Sequence, residues 1–204
     1  MSFSSGVKEE LYRHISPARH CQLAELAALL HFNGSIGVGT TGIFLQIHAE
    51  NALVVRKCFT LLVKTFNIKT DVVVRRNTGK DNYSYYIYAK GEELLAIRDT
   101  IVQAVCCKRA YIRGAFLAAG SISDPEKMYH LEFACSNETY SEDLKNLINS
   151  FGLDAKIVKR KEHYIVYIKE GEQIVDLLNI MGAHKALLDL ENIRIIKDMR
   201  NNVN

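Results

Sequence analysis

Three groups of residues have types and spacing that could do chemistry. The first is basic: Lys69, Arg75, Arg76 and Lys80 gather around one segment, and Lys156, Lys159, Arg160 and Lys161 around another in the second half of the chain. Cations fixed in this way could meet the phosphates of a DNA duplex, which positions a protein without reading bases. Asp71, Asp81, Asp154 and Glu162 dilute the same segments, so the charges also read as a solvated sheet edge that resists aggregation. The second group is aromatic. Tyr83, Tyr85, Tyr86 and Tyr88 share one short segment, where rings could stack on bases or bond phosphates, or divide between core packing and cross-strand pairing.

The third group is thiols and imidazoles. The five cysteines, Cys21, Cys58, Cys106, Cys107 and Cys135, are odd in number and contain no CxxC pair, which argues against a disulfide framework or a zinc ribbon and for reduced, buried thiols. The seven histidines show no HExxH, no pair at i and i+4 and no cysteine at ligand spacing, so neither a metal site nor a cofactor is expected. His31, on an apolar stretch, reads as a hydrogen-bonded core residue. Gly34, Gly37, Gly39 and Gly42 match neither the P-loop nor the dinucleotide fingerprint, and are expected to turn the chain.

Composition bounds these options. With 204 residues, 48% hydrophobic and 24% charged, the chain is expected to fold around a true core without disulfides or structural metals. No apolar run approaches the roughly 18 residues that span a bilayer, and the N-terminus lacks the pattern of a secretory signal, so a cytoplasmic protein without a membrane partner is expected. Its 26 Lys plus Arg against 23 Asp plus Glu leave a net charge of +3, far from a protein that grips nucleic acid over its whole surface.

The elements that must position these residues come in two copies. Gly34-Ser35-Ile36 returns as Gly120-Ser121-Ile122, Leu45 as Leu131 and Asn51 as Asn137, all at one constant offset. Further on, Phe66-Asn67-Ile68 parallels Phe151-Gly152-Leu153, and the run from Lys90 to Leu95 parallels that from Glu170 to Val175. Each copy opens with a small-residue helix, Leu23 to Phe32 or Arg109 to Ala119, closed by Gly34 or Gly120 as a left-handed helix end. Strands follow at Ile43 to Ala49 and Tyr129 to Cys135, then amphipathic helices at Ala52 to Phe66 and Ser141 to Phe151. Two strands follow in each copy, Asp71 to Arg76 with Tyr83 to Lys90, and Ala155 to Arg160 with His163 to Lys169, before helices that open at Glu92 and Glu172. The order predicts an α+β fold with antiparallel sheets.

A duplicated unit opened by such a helix resembles the LAGLIDADG homing endonuclease fold. The motifs read Leu26-Ala27-Ala28-Leu29-Leu30-His31-Phe32-Asn33-Gly34 and Ile112-Arg113-Gly114-Ala115-Phe116-Leu117-Ala118-Ala119-Gly120. The resemblance implies two motif helices packed at a pseudo-twofold axis below a saddle of antiparallel strands, with Ala27, Ala28, Gly34, Gly114, Ala118 and Gly120 permitting close packing. Nuclease members hold a divalent metal with an acidic residue just before each motif glycine, because phosphodiester hydrolysis needs hard oxygen ligands. Those positions here are Asn33 and Ala119, so no catalytic residue is expected.

Over its full length the chain resembles the bacterial WhiA family. The stretches that carry this are Ser2-Phe3-Ser4-Ser5, Cys21 to Leu30, Arg113 to Ser121, Asp124-Pro125-Glu126-Lys127, Met181-Gly182-Ala183-His184 and Glu191 to Asn204. The resemblance implies the N-terminal, degenerate LAGLIDADG-like part of a DNA-binding transcriptional regulator of cell division, chromosome segregation and, in some bacteria, sporulation, nucleoid-associated in the cytoplasm. Its organisation is expected to be an N-terminal segment at 1–19, repeats at 20–105 and 106–190, and a connector at 191–204 toward a helix-turn-helix domain outside this chain. Weak contact with double-stranded DNA is the leading expectation. A module that binds a protein or ligand and modulates the helix-turn-helix domain is the alternative, and a residual DNA endonuclease the weaker one.

Overall fold

The asparagines repeated at one offset are helix caps. In the computed structural model, which describes residues 2–40, 42–77 and 82–203, Asn51 Oδ1 accepts from Leu53 N at 2.8 Å and Asn137 Oδ1 from Tyr140 N at 3.1 Å. Each satisfies a backbone donor that the first helical turn leaves orphaned.

In chain order the elements are α1 Phe3–Arg13, α2 Arg19–Asn33, β1 Gly34–Gly39, β2 Gly42–Ala49, α3 Ala52–Phe66, β3 Thr70–Arg76 and β4 Tyr83–Lys90. A 3-10 turn at Glu92–Leu94 leads to α4 Leu95–Arg98, then α5 Val105–Ala119, β5 Gly120–Ile122, β6 Leu131–Cys135, α6 Glu138–Asn149, β7 Lys156–Arg160, β8 His163–Ile168, α7 Gly171–Met181 and α8 His184–Val203. The α+β class follows as expected. Two four-stranded antiparallel sheets share one strand order, β1-β2-β4-β3 and β5-β6-β8-β7. The chain divides into two units, one running Ile15–Ala118 and one joining the start of the chain through His14 to everything from Ala119 on.

In the first unit, alternation puts Leu45, Ile47, Ala49, Ile87 and Ala89 on one face of the sheet, in register as Leu45 with Ala89 and Ile47 with Ile87. That face meets α2 and α3, where Leu26, Leu29, Cys58, Leu61 and Leu62 are fully buried. In the second unit, Leu131, Phe133 and Cys135 with Val166 and Ile168 form the equivalent face, covered by α6. Ser2 caps α1 by accepting from Ser5 N at 3.1 Å, and the Glu10 carboxylate caps α8 by accepting from Lys185 N and Ala186 N at 2.8 and 3.0 Å.

One expectation changes. Gly34 does not close α2 in the left-handed conformation; its backbone is extended, φ −142° and ψ −177°. The helix runs straight into β1, and a Cβ on Gly34 would lie 2.7 Å from the Gln46 carbonyl oxygen and 2.8 Å from Ile47 Cγ1, so the residue answers to close strand approach rather than to a turn. Gly120 likewise begins β5, opposite Phe133. Residues 191–203, the segment expected to lead toward a helix-turn-helix domain, are helical and continue α8. Leu190 is buried there, Arg194 pairs with Glu191 at 2.7 Å, and Lys197 Nζ donates to the Pro125 carbonyl at 2.8 Å and lies 4.6 Å from the Tyr129 ring centre.

Candidate nucleic-acid interface

The basic segments are edge strands. β3 and β7 each pair on one side only, with β4 and β8, and every residue from Asp71 to Arg76 is exposed. Matching Leu45 opposite Ala89 to Leu131 opposite Ile168 makes Ser84 equivalent to His163, and therefore Arg75, opposite Ser84, equivalent to Arg160, opposite His163. Both arginines fall on the sheet face away from the helices, here called the open face.

In the first unit Gln46, His48, Val73, Tyr86 and Tyr88 share this open face with Arg75. The His48 and Tyr86 rings stack at 4.7 Å between centres, Tyr86 and Tyr88 run nearly parallel at 6.4 Å, and the Arg75 guanidinium carbon sits 5.0 Å from the Tyr86 centre. The ring face attracts the cation and holds it over the sheet. Tyr83 and Tyr85 fall on the opposite, helix-side face, so the tyrosine run divides between the two faces as a pleat requires.

The second unit's open face carries Glu132, Lys156, Arg160 and Tyr167. His130 Nε2 lies 2.9 Å from Glu132 Oε2, its ring centre is 6.0 Å from that of Tyr167, and Lys169 Nζ is 5.2 Å from the same tyrosine. Lys156 Nζ is 3.3 Å from Asp154 Oδ2, both groups well exposed, so this pair is weak and readily exchanged for another anion.

The eight basic residues singled out from sequence thus separate. Arg75, Lys156 and Arg160 lie on open faces. Arg76 and Lys159 alternate to the helix-side faces, and Lys159 Nζ lies 5.2 Å from the Tyr164 ring, whose hydroxyl donates to Glu138 at 3.0 Å. Lys69 precedes β3 and is exposed; Lys161 occupies the β7–β8 turn with φ 55°, a left-handed conformation. Lys80 lies outside the described residues.

Asn33 ends α2, and its Nδ2 donates to the Ala118 carbonyl at 3.3 Å. Ala119 ends α5 with a methyl group that offers a metal nothing. Within the first unit the carboxylate among the motif helices is Glu25, fully buried and held by two cations. Lys57 Nζ and Arg113 Nε approach its Oε1 at 3.0 and 3.2 Å, and Arg113 Nη2 its Oε2 at 3.5 Å. Burial pushes the Lys57 ammonium below its ordinary range, against the opposing pull of Glu25. Gly114 lets α5 cross α2 at this level, since a Cβ there would lie 2.6 Å from the Glu25 carbonyl oxygen and 3.0 Å from Ala28 Cβ. His31 Nδ1 lies 2.9 Å from the Tyr111 hydroxyl.

One group has no motif along the chain. His20 and Cys21 at the start of α2 meet Cys106 and Cys107 at the start of α5, their ligand atoms all within 4.8 Å of one another. Spacing along the chain conceals them, because neither pair resembles a known ligand motif. The repeat offset that relates Gly34 to Gly120 also relates His20 to Cys106 and Cys21 to Cys107, and was the available signal.

Comparison with known proteins gives a consistent picture. Residues 19–98 match the family model described as the WhiA N-terminal LAGLIDADG-like domain, and residues 108–200 that of the WhiA LAGLIDADG-like domain. The chain is 48% identical to a probable cell division protein WhiA of Lachnoclostridium phytofermentans and 47% identical to one of Alkaliphilus metalliredigens, in each case across all of this chain and 72% of the relative. Among solved structures it is similar to full-length DUF199/WhiA from Thermatoga maritima, with TM-score 0.83 and 20% identity over all of this chain and 73% of that one. It is also similar to the homing endonuclease I-DmoI in complex with DNA and Mn, with TM-score 0.60 and 13% identity over 80% of this chain and 98% of the other. At these identities both structures speak to the fold alone.

Proposed function

The chain belongs to the WhiA family, whose relatives carry the name probable cell division protein, and from that premise we propose that it is a non-catalytic, LAGLIDADG-like region of a DNA-binding transcriptional regulator. In this reading it meets double-stranded DNA weakly, through its open sheet faces, while a helix-turn-helix domain outside this chain reads sequence. Control of cell division, chromosome segregation and, in some bacteria, sporulation from a nucleoid-associated position in the cytoplasm is the corresponding role.

The observation that carries the reading is one of retention beside loss. Arg75 and Arg160 hold matching register positions on two equivalent open faces, whereas the positions that should hold a divalent cation are Asn33, with its amide bonded to a carbonyl, and Ala119. Glu25 cannot replace them as a metal ligand, because its charge is already met by Lys57 and Arg113. Phosphate contact needs only the first feature; hydrolysis needs the second.

Exposed apolar residues on α8, Leu188, Ile195, Ile196 and Met199, favour the second reading, in which this region binds a protein partner and modulates the helix-turn-helix domain. Duplex binding by this chain, compared with a longer chain that includes the helix-turn-helix domain, separates the two. Weak binding here and a large gain on extension support the first reading; no binding here at low salt overturns it. Plasmid incubated with this chain and Mg2+ or Mn2+ stays intact, and cleavage that disappears in Asn33→Ala would refute the non-catalytic claim.

A further inference from the structure

We propose that His20, Cys21, Cys106 and Cys107 form a tetrahedral site for Zn2+ or a similar thiophilic divalent ion. The four ligand atoms, one imidazole nitrogen and three sulfurs, lie within 4.8 Å of one another. A tetrahedron with zinc bonds of about 2.3 Å to sulfur and about 2.0 Å to nitrogen has edges of roughly 3.8 Å between sulfurs and roughly 3.5 Å from nitrogen to sulfur. Cys106 Sγ is 3.4 Å from His20 Nε2, already at the second distance, and the remaining adjustment is within the reach of side-chain rotation.

Two further observations point to an ion rather than to chance packing. The pairs are equivalent in the internal repeat, so each repeat contributes two adjacent residues from the first turn of its helix. The amino ends of α2 and α5 place partial positive charge beside the sulfurs, which offsets part of the cost that burial imposes on thiolate at Cys21 and Cys107. Ala18 provides no side-chain cap for α2. Burial alternates usefully: Cys21 and Cys107 are buried, while His20 and Cys106 are exposed and give an ion a way in. Arg19, beside the site in sequence, is turned elsewhere, its Nε donating to the Thr65 carbonyl at 3.4 Å and its guanidinium 5.5 Å from the Phe66 ring centre.

Binding replaces the three thiol protons, which pass to solvent, and takes the lone pair of a neutral imidazole, so the filled site carries a net charge of −1. The three thiolates and one histidine match the closed sites in which zinc is structural. Its effect here would be to tie the starts of the two motif helices.

The test is titration of the full 204-residue chain, reduced and stripped of metal, with Co2+ and then Zn2+. One Co2+ per chain is expected, with the intense visible absorption of a tetrahedral ion and a thiolate-to-cobalt charge-transfer band, and Zn2+ should displace it. Cys106→Ser, at an exposed position, should weaken Co2+ binding at least about 100-fold, and His20→Ala similarly, with helical circular dichroism unchanged. Cys135→Ala should leave binding unaltered. Octahedral cobalt spectra alone, binding indifferent to Cys106→Ser, or a metal-free protein whose Cys106 is found in a disulfide with Cys21 or Cys107 when purified without reductant would each overturn the assignment.

Discussion

At the residue scale the chemistry is governed by who shares a buried or electropositive pocket with whom. The Cys106 thiol is exposed and held below its ordinary range first by the hydrogen bond to His20, whereas burial raises Cys21 and lifts Cys107 to about 11 and Cys135 to about 12. In the metal-free chain, iodoacetamide at neutral pH should therefore modify Cys106 first, and His20→Ala should slow that reaction; mass spectrometry of the alkylated peptides reads both. The buried Glu25 triad makes a different prediction. Glu25→Gln strands two cations, Lys57 and Arg113, and should cost about 3–5 kcal/mol in denaturant unfolding. Lys57 also sets a pH slope. Because its folded pKa lies below the free value of 10.5, the unfolded chain binds more protons between the two values, so the Lys57 contribution to stability rises with pH across that window. Lys57→Met should remove that rise from the difference between variant and parent.

At the element scale, legibility followed the strength of local signals. Ala52–Phe66 and Tyr83–Lys90 were readable to their ends, the helix because Asn51 caps it and Asn67 closes it in the left-handed conformation, the strand because alternation and β-forming residues agree. The start of α2 at Arg19 lies four residues before Leu23, and no capping side chain marks the first turn. Gly34 is ambiguous in sequence, since the residue that would suit a left-handed cap equally suits a helix that runs directly into a paired strand. The tyrosine run was ambiguous until pairing with β2 and β3 assigned each ring to a face. Close helix crossing gives an element-scale prediction: Gly114→Ala pushes a Cβ to 2.6 Å from the Glu25 carbonyl oxygen, and the overpacking should cost about 1–3 kcal/mol in thermal or denaturant unfolding.

At the scale of the whole molecule, duplication was legible because five residue types return at one offset, and each now has a physical reason where caps and strand contacts supply one. The paired His20-Cys21 and Cys106-Cys107 carry no ligand motif along the chain, because these residues converge only where two helices from different repeats start side by side. The modest net charge of +3 acquires its meaning at this scale too: under the proposed function, contact with DNA would be confined to a few cations on open faces, so affinity is expected to be low and strongly salt-dependent. The most direct test of the proposed function is duplex binding followed by fluorescence anisotropy from low to physiological salt, with the parent and with Arg75→Ala plus Arg160→Ala. The parent should bind in a manner that falls steeply with salt, and losing two phosphate contacts should reduce the slope of log affinity against log salt by about 1.8. Duplex affinity and salt slope unchanged by the double substitution would contradict a DNA-facing role for these sheets.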